Sequence, residues 1–167
     1  SFDSEKSRVL IFAPTRKKTE HISELLNKKL KNLNPKLGDK IDFYHAGLDG
    51  NERTDKYEQF NSGDIVILVA TKAFGMGMDI KNIHFIYHVE PASTFEDYLQ
   101  EVGRAGRHKK MLVDAGFSSK NPIQTFCLFK ELDFKELKDN LHNTQITWEQ
   151  LKEVKEVVFE YVKQFKN

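Results

Sequence analysis

Arg104 and Arg107 stand three residues apart in the run Gly103-Arg104-Ala105-Gly106-Arg107. Arginine stays charged at any working pH and presents a planar fork of donors that matches phosphate oxygens. On a helix or its last turn, residues i and i+3 share a face, so the two guanidinium groups are spaced to meet one anion. Gly103 and Gly106 remove side chains that hold a bulky ligand at a distance. The plainer alternative is a glycine-rich helix end whose basic residues complement the helix dipole, worth about 0.3–1 kcal/mol each. On these five residues alone the two readings balance.

Two loops offer further chemistry. Thr71 to Asp79 holds Gly75-Met76-Gly77 after an apolar run. It is not a dinucleotide fingerprint, because Ile80 stands where the third glycine belongs and no helix pattern begins there. It suits a loop whose amides and Thr71 hydroxyl meet phosphates, with Asp79 accepting from a ribose hydroxyl or an arginine. In isolation an ordinary strand connection explains it as well. His45-Ala46-Gly47-Leu48 precedes a helix that contains Arg53, and alone it reads as a tight turn. His84 and His88 share one side of a strand and read as core or edge histidines, since no carboxylate or thiolate sits at metal-ligand spacing. The basic residues Arg16, Lys17, Lys18, Lys28, Lys29 and Lys31 read as solvated faces. No serine or cysteine nucleophile motif, GxxxxGK[ST] loop or acidic box is present, so the parts that hold triphosphate and magnesium in P-loop enzymes are missing.

The elements that must position these residues are read from hydrophobic period. Arg8–Ala13 reads as a strand buried on both faces. Thr15 caps a helix whose apolar positions are Ile22, Leu25, Leu26, Leu30 and Leu33, and 34–40 is a loop. Ile41–His45 is a strand, and Asp49 with Glu52 forms a capping box for a helix to about Phe60 that buries Tyr57 and Phe60. Asp64–Ala70, the most apolar strand, is expected at the centre. Ile83–Val89 is the next strand, and Ser93 with Glu96 reads as a capping box for a helix burying Phe95, Tyr98, Leu99 and Val102. Residues 108–123 read as an irregular surface insertion, 125–129 as a last strand, and 131–167 as a helical extension with two helices. This alternation predicts an α/β fold with a parallel sheet covered on both faces, ligands lying beyond the carboxyl ends of the strands.

Composition sets the outer limits. A chain of 167 residues, 39% hydrophobic and 31% charged, can bury a core as one globular domain. Its net charge of +1 gives no global basic field, so nucleic-acid binding must come from a local patch. Cys127 is the only cysteine, which rules out an internal disulfide and a cysteine-based zinc site and suits a reducing compartment. No apolar run approaches the ~20 residues that span a membrane. The opening residues are polar without a signal-peptide core, and the chain is expected to be a fragment of a longer protein.

Together these pieces resemble the second RecA-like lobe of superfamily 2 helicases, and the RecQ family most of all. RVLIFAPTRKKTEHI looks like the fourth helicase motif, and FYHAGLDGNER resembles the family's tyrosine-histidine-alanine-glycine-leucine segment. VATKAFGMGMDIKNI looks like the fifth motif and YLQEVGRAGR like the sixth, so the likeness covers about residues 8–107 with all four motifs in order. It implies a RecA-like three-layer sheet over residues 1–130, followed by the extension at 131–167. It implies ATP and Mg2+, held mainly by a first RecA-like lobe of the same protein. By the resemblance, Arg107 is the arginine finger on the γ-phosphate, and Arg104 and Gln100 couple to the nucleotide and the cleft. Gly77 and Asp79 line the ribose and γ-phosphate side. Thr71, Lys72 and the Ala46-Gly47 turn meet the nucleic-acid backbone. No metal ligand, membrane contact or zinc module falls within the chain, and the setting is cytoplasmic, or nuclear in a eukaryote. Asp79 stands where many RecQ relatives carry asparagine and DEAD-box proteins carry aspartate, so DNA is favoured with RNA as the alternative. A binding module without its own ATPase is the further alternative.

Overall fold

The structure, a computed structural model, describes residues 7–74, 80, 83–106 and 123–128, all within one compact unit, Ser1–Lys130. Gly77, Asp79 and Arg107, most of the 108–123 segment and the extension at 131–167 lie outside the described residues.

Five parallel strands form one sheet in the order β2-β3-β1-β4-β5: β1 (Arg8–Phe12), β2 (Ile41–Tyr44), β3 (Ile67–Ala70), β4 (Ile83–His88) and β5 (Gln124–Cys127). Side chains alternate across a strand, and the alternation divides the core in two. Leu10 and Phe12 of β1 join Leu68, Ala70, Ile86, Phe60 and Phe74 on one face, while Val9, Ile11 and Ala13 join Ile67 and Val69 on the other. Burial of each such Leu or Phe contributes about 1.5–3 kcal/mol. The continuous apolar runs in the sequence are thus strands with a packed layer on both sides.

β1, not β3, is the central strand. It pairs with β3 on one side and β4 on the other. β3 is more apolar in sequence because Ile65 and Val66, which lead into it, are also buried. Strand hydrophobicity reports burial on two faces, and every interior strand meets that condition.

Helix α1 (Arg16–Leu33) starts at Thr15, whose hydroxyl accepts from Lys18 N at 3.3 Å. It lays Ile22, Leu26 and Leu30 on the second core face, with Thr19 and Ser23 buried. Leu25 and Leu33, expected inside, are 46% and 81% exposed; the buried stripe is narrower than the apolar pattern. The expected loop at 34–40 contains a short helix, α2 (Pro35–Gly38), with Asn34 as its cap and Pro35 at its first position. Helix α3 (Gly50–Ser62) shows the full Asp49–Glu52 capping box and ends at Gly63 with φ 101°, a left-handed residue.

Helix α4 (Phe95–Val102) is capped by Thr94, which accepts from Asp97 N at 3.0 Å, rather than by Ser93. Phe95 and Leu99 are 70% and 51% exposed, while Glu101 is buried. The face of α4 turned to the sheet therefore carries a carboxyl group, a feature that an apolar-period reading does not see. Among the described residues no helix is long and apolar enough to cross a membrane.

Candidate nucleotide and nucleic-acid site

Because all strands are parallel, their carboxyl ends share one edge of the sheet. Three of the expected contact points lie there. After β2, His45 to Leu48 forms a turn closed by Leu48 N donating to His45 O at 3.2 Å, with Ala46 and Gly47 exposed. After β3, Thr71 N donates to Tyr44 O at 3.2 Å, which ties the two strand ends together. Lys72 comes next, exposed, 3.4 Å from Asp97 at the start of α4. The first turn after Thr71 is fixed: Phe74 N donates to Thr71 O, and the Phe74 ring is fully buried between Tyr44 and Phe60.

The Ala46-Gly47 turn is held from beneath. Gly47 N donates to His45 Nδ1 at 3.1 Å. That acceptor role places the ring proton on Nε2, which faces Glu20 Oε1 of α1 at 2.8 Å. The Arg16 guanidinium lies against Gly47, where an added Cβ would come within 2.9 Å of Nη1. Arg16 had the sequence signature of a solvated face; its place one residue after the Thr15 cap was the signal that it sits at the strand edge.

The arginine region is set apart from this edge. Asp97 and Glu101 of α4 meet Lys72 and His88 at the carboxyl edge, and it is the turn after the helix that leaves that edge. The turn is fixed by Arg104 N donating to Glu101 O at 3.3 Å, Ala105 N to Val102 O at 3.1 Å and Gly106 N to Ile83 O at 3.2 Å. Ile83 is the first residue of β4, so the turn that carries Arg104 has reached the amino end of that strand. Gly106 takes φ 71°, the left-handed conformation that glycine permits. Arg104 is buried, 7% exposed, whereas Gln100 faces solvent on α4. The structure thus brings Thr71, Lys72, Ala46 and Gly47 along one edge and separates Arg104 from them.

At the carboxyl edge itself lies a cavity of about 100 Å³, lined by Pro14, Lys72, His88, Glu90, Ser93 and Glu101 among others. His88 Nε2 meets Glu101 Oε2 there at 2.8 Å, both residues buried. Lys18 of α1 pairs with Glu90 at the rim. Spacing alone does not reveal these contacts, because the partners come from different elements.

Arg8 and His84 belong to the far end. Arg8 donates from Nε to Phe60 O and from Nη2 to Ser62 O, both at 3.1 Å, closing the carboxyl end of α3. A cation there complements the helix dipole. Burial lowers the Arg8 pKa, partly offset by Asp64. His84 lies where the pairing of β4 with β1 shifts register, between Arg8 and Val9. Burial, and then the neighbouring Arg8 charge, lowers its pKa below the ordinary 6.5. Among the described residues no group of three or more His, Cys, Asp or Glu stands close enough to hold a metal ion.

Comparison with known proteins places this arrangement. Residues 2–109 match the helicase conserved C-terminal domain. The ATP-dependent DNA helicase RecQ of Bacillus subtilis is 38% identical over 98 residues, 59% of this chain and 15% of that protein. The mouse bifunctional 3'-5' exonuclease/ATP-dependent helicase WRN is 38% identical over 98 residues, covering 59% of this chain and 6% of that protein. Among solved structures, Mycobacterium smegmatis helicase Lhr bound to ssDNA and AMP-PNP aligns with a TM-score of 0.60 at 21% identity, over 76% of this chain and 15% of that one. Domain 2 of the DEAD-box helicase Mss116p bound to an RNA duplex aligns with a TM-score of 0.55 at 26% identity, over 81% of this chain and 48% of that one. The chain therefore spans a small part of its curated relatives and has their RecA-like α/β fold. It belongs to the helicase conserved C-terminal domain family, and RecQ-type DNA helicases are among the relatives it resembles over that domain.

Proposed function

We propose that this chain is the C-terminal motor lobe of an ATP-dependent DNA helicase. It couples ATP hydrolysis, at a cleft shared with a first RecA-like lobe of the same protein, to translocation along a strand and duplex unwinding. The observation that carries this reading is the buried Arg104 on a turn fixed to Ile83, apart from the exposed strand-edge turns. Such separation suits a lobe with one surface for nucleotide and another for nucleic acid.

In this reading ATP and Mg2+ are held mainly by the first lobe, and the metal polarises the phosphates there. Arg107 lies against the γ-phosphate and neutralises charge that spreads over the transferred group's oxygens, an effect worth ~10³–10⁵ in rate. Arg104 and Gln100 tie the nucleotide to this lobe, and Gly77 and Asp79 line the ribose and γ-phosphate side. Thr71, Lys72, Ala46 and Gly47 hold the backbone of the strand, with phosphate contacts that fix register without reading sequence. The likeness to an RNA-bound DEAD-box domain, together with Asp79, favours RNA as the second reading.

The test is strand-stimulated ATP turnover by the longer protein, with unwinding of matched DNA and RNA duplexes. The expected result is turnover stimulated by DNA and unwinding of the DNA duplex, with no turnover by the isolated 167 residues. Preference for the RNA duplex selects the RNA reading. Robust hydrolysis by the isolated chain contradicts a shared cleft, and a full-length protein with no ATP dependence is a binding module.

A further inference from the structure

His88 is the last residue of β4 and Glu101 lies in the last turn of α4. Their side chains meet at 2.8 Å with 1% and 6% of each residue exposed. The imidazole is also enclosed on its faces: Phe12 of β1 stacks at 5.3 Å between centroids and Tyr98 of α4 lies at 5.3 Å. Its Nδ1 makes no hydrogen bond among the described residues. One hydrogen bond therefore sets the direction of the ring, and that bond runs to α4.

Tyr98 and Glu101 are three apart on one helix face, so His88 grips α4 at two points. A buried carboxylate on a short helix, where an apolar residue packs without desolvation, is an expensive way to obtain packing alone. What it supplies is direction: a hydrogen bond fixes the rotation and height of α4 where apolar contact tolerates slip. Glu101 O accepts from Arg104 N, so the residue that anchors the helix also begins the turn that carries the arginine.

We propose that His88 and Glu101 form a positioning pair that holds α4 in register on β4 and thereby sets Arg104 for the nucleotide. The inference rests on the motor-lobe reading. The pair does not touch nucleotide; it acts through the helix. Because a displacement of about 1 Å can cost ~10²-fold in rate, loss of the pair lowers kcat rather than strand affinity.

The experiment uses the full-length protein, with kcat and KM for ATP and strand affinity measured per folded molecule. Glu101→Gln retains an acceptor for the His88 N–H, and His88→Gln retains a donor near the position of Nε2. Both are expected to keep kcat within about threefold of wild type. Glu101→Ala and His88→Asn lose the bond and are expected to lower kcat by ~10–100-fold, with strand affinity unchanged. Should Glu101→Ala fail to fold, His88→Asn against His88→Gln carries the comparison. A bond-breaking variant that folds and turns over like wild type overturns the proposal, as does equal loss in the bond-keeping variants. Arg107→Ala beside them separates the two layers. If it too hydrolyses ATP normally, the motor-lobe reading fails; if it alone is dead, only the positioning role fails.

Discussion

Two buried histidines in this lobe each meet a glutamate from a helix at 2.8 Å, and the two glutamates differ sharply in exposure. His45 faces Glu20, whose side chain is 45% exposed, and its second nitrogen accepts from the Gly47 backbone. His88 faces Glu101, whose side chain is 8% exposed. In the first pair the half-exposed Glu20 already meets water, so its bond is cheaper to lose. The second fixes a helix inside the core, where nothing replaces it. In the proposed reading the same chemistry supports the strand-binding edge in one place and the aiming of an arginine in the other.

Removing each glutamate in turn tests that contrast. Glu101→Leu leaves a buried imidazole N–H without its acceptor and is expected to lower unfolding free energy by about 2–3 kcal/mol. Glu20→Leu is expected to lower it by only about 0.5–1.5 kcal/mol. Urea denaturation of both variants checks this, and equal losses break the comparison. Next in size is His45→Leu, which deprives Gly47 N of its acceptor and Glu20 of its partner. It is expected to weaken single-strand binding about fivefold, roughly 1 kcal/mol, while turnover at saturating strand stays at the wild-type value. A fall in turnover instead would join the two regions that the structure separates.

Lys72→Ala sharpens the strand-edge side. Its ion pair with Asp97 is exposed and worth little to the fold. Loss of a phosphate contact is expected to reduce the slope of log affinity against log salt by about one and to weaken all sequences alike. An unchanged slope removes Lys72 from the interface. The smallest effect belongs to His84. Its folded-state pKa lies below the ordinary 6.5 because burial and Arg8 oppose the charge. The unfolded chain therefore binds the proton first, and stability falls as pH drops below about 6.5 toward the folded value. His84→Gln removes that share, so the acid-side decline of Tm should be shallower than in wild type. Parallel declines would place the acid sensitivity elsewhere.

Strands, caps and the order of elements were legible because burial on two faces leaves continuous apolar runs, and capping sets Thr15 and Asp49 at a fixed spacing from the helices they begin. The identity of the central strand was not legible, since β1 and β3 are equally enclosed. Nor was the buried face of α4. Tyr98 packs inward as the apolar pattern expects, but Phe95 and Leu99 of the same pattern face solvent and the buried Glu101 lies outside it. At the candidate site, the glycines and arginines stand out by type and spacing. Arg16, His88 and Phe74 do not, because each acts through a contact with an element distant in sequence.

The central claim is that this lobe brings an arginine to a nucleotide held elsewhere. It is tested most directly by single-turnover ATP hydrolysis in full-length Arg107→Ala, with strand binding measured in the same samples. The account predicts a loss of ~10³–10⁵-fold in hydrolysis, strand affinity unchanged and Tm as in wild type. Hydrolysis within tenfold of wild type, or a loss of strand binding equal to the loss of hydrolysis, would contradict it.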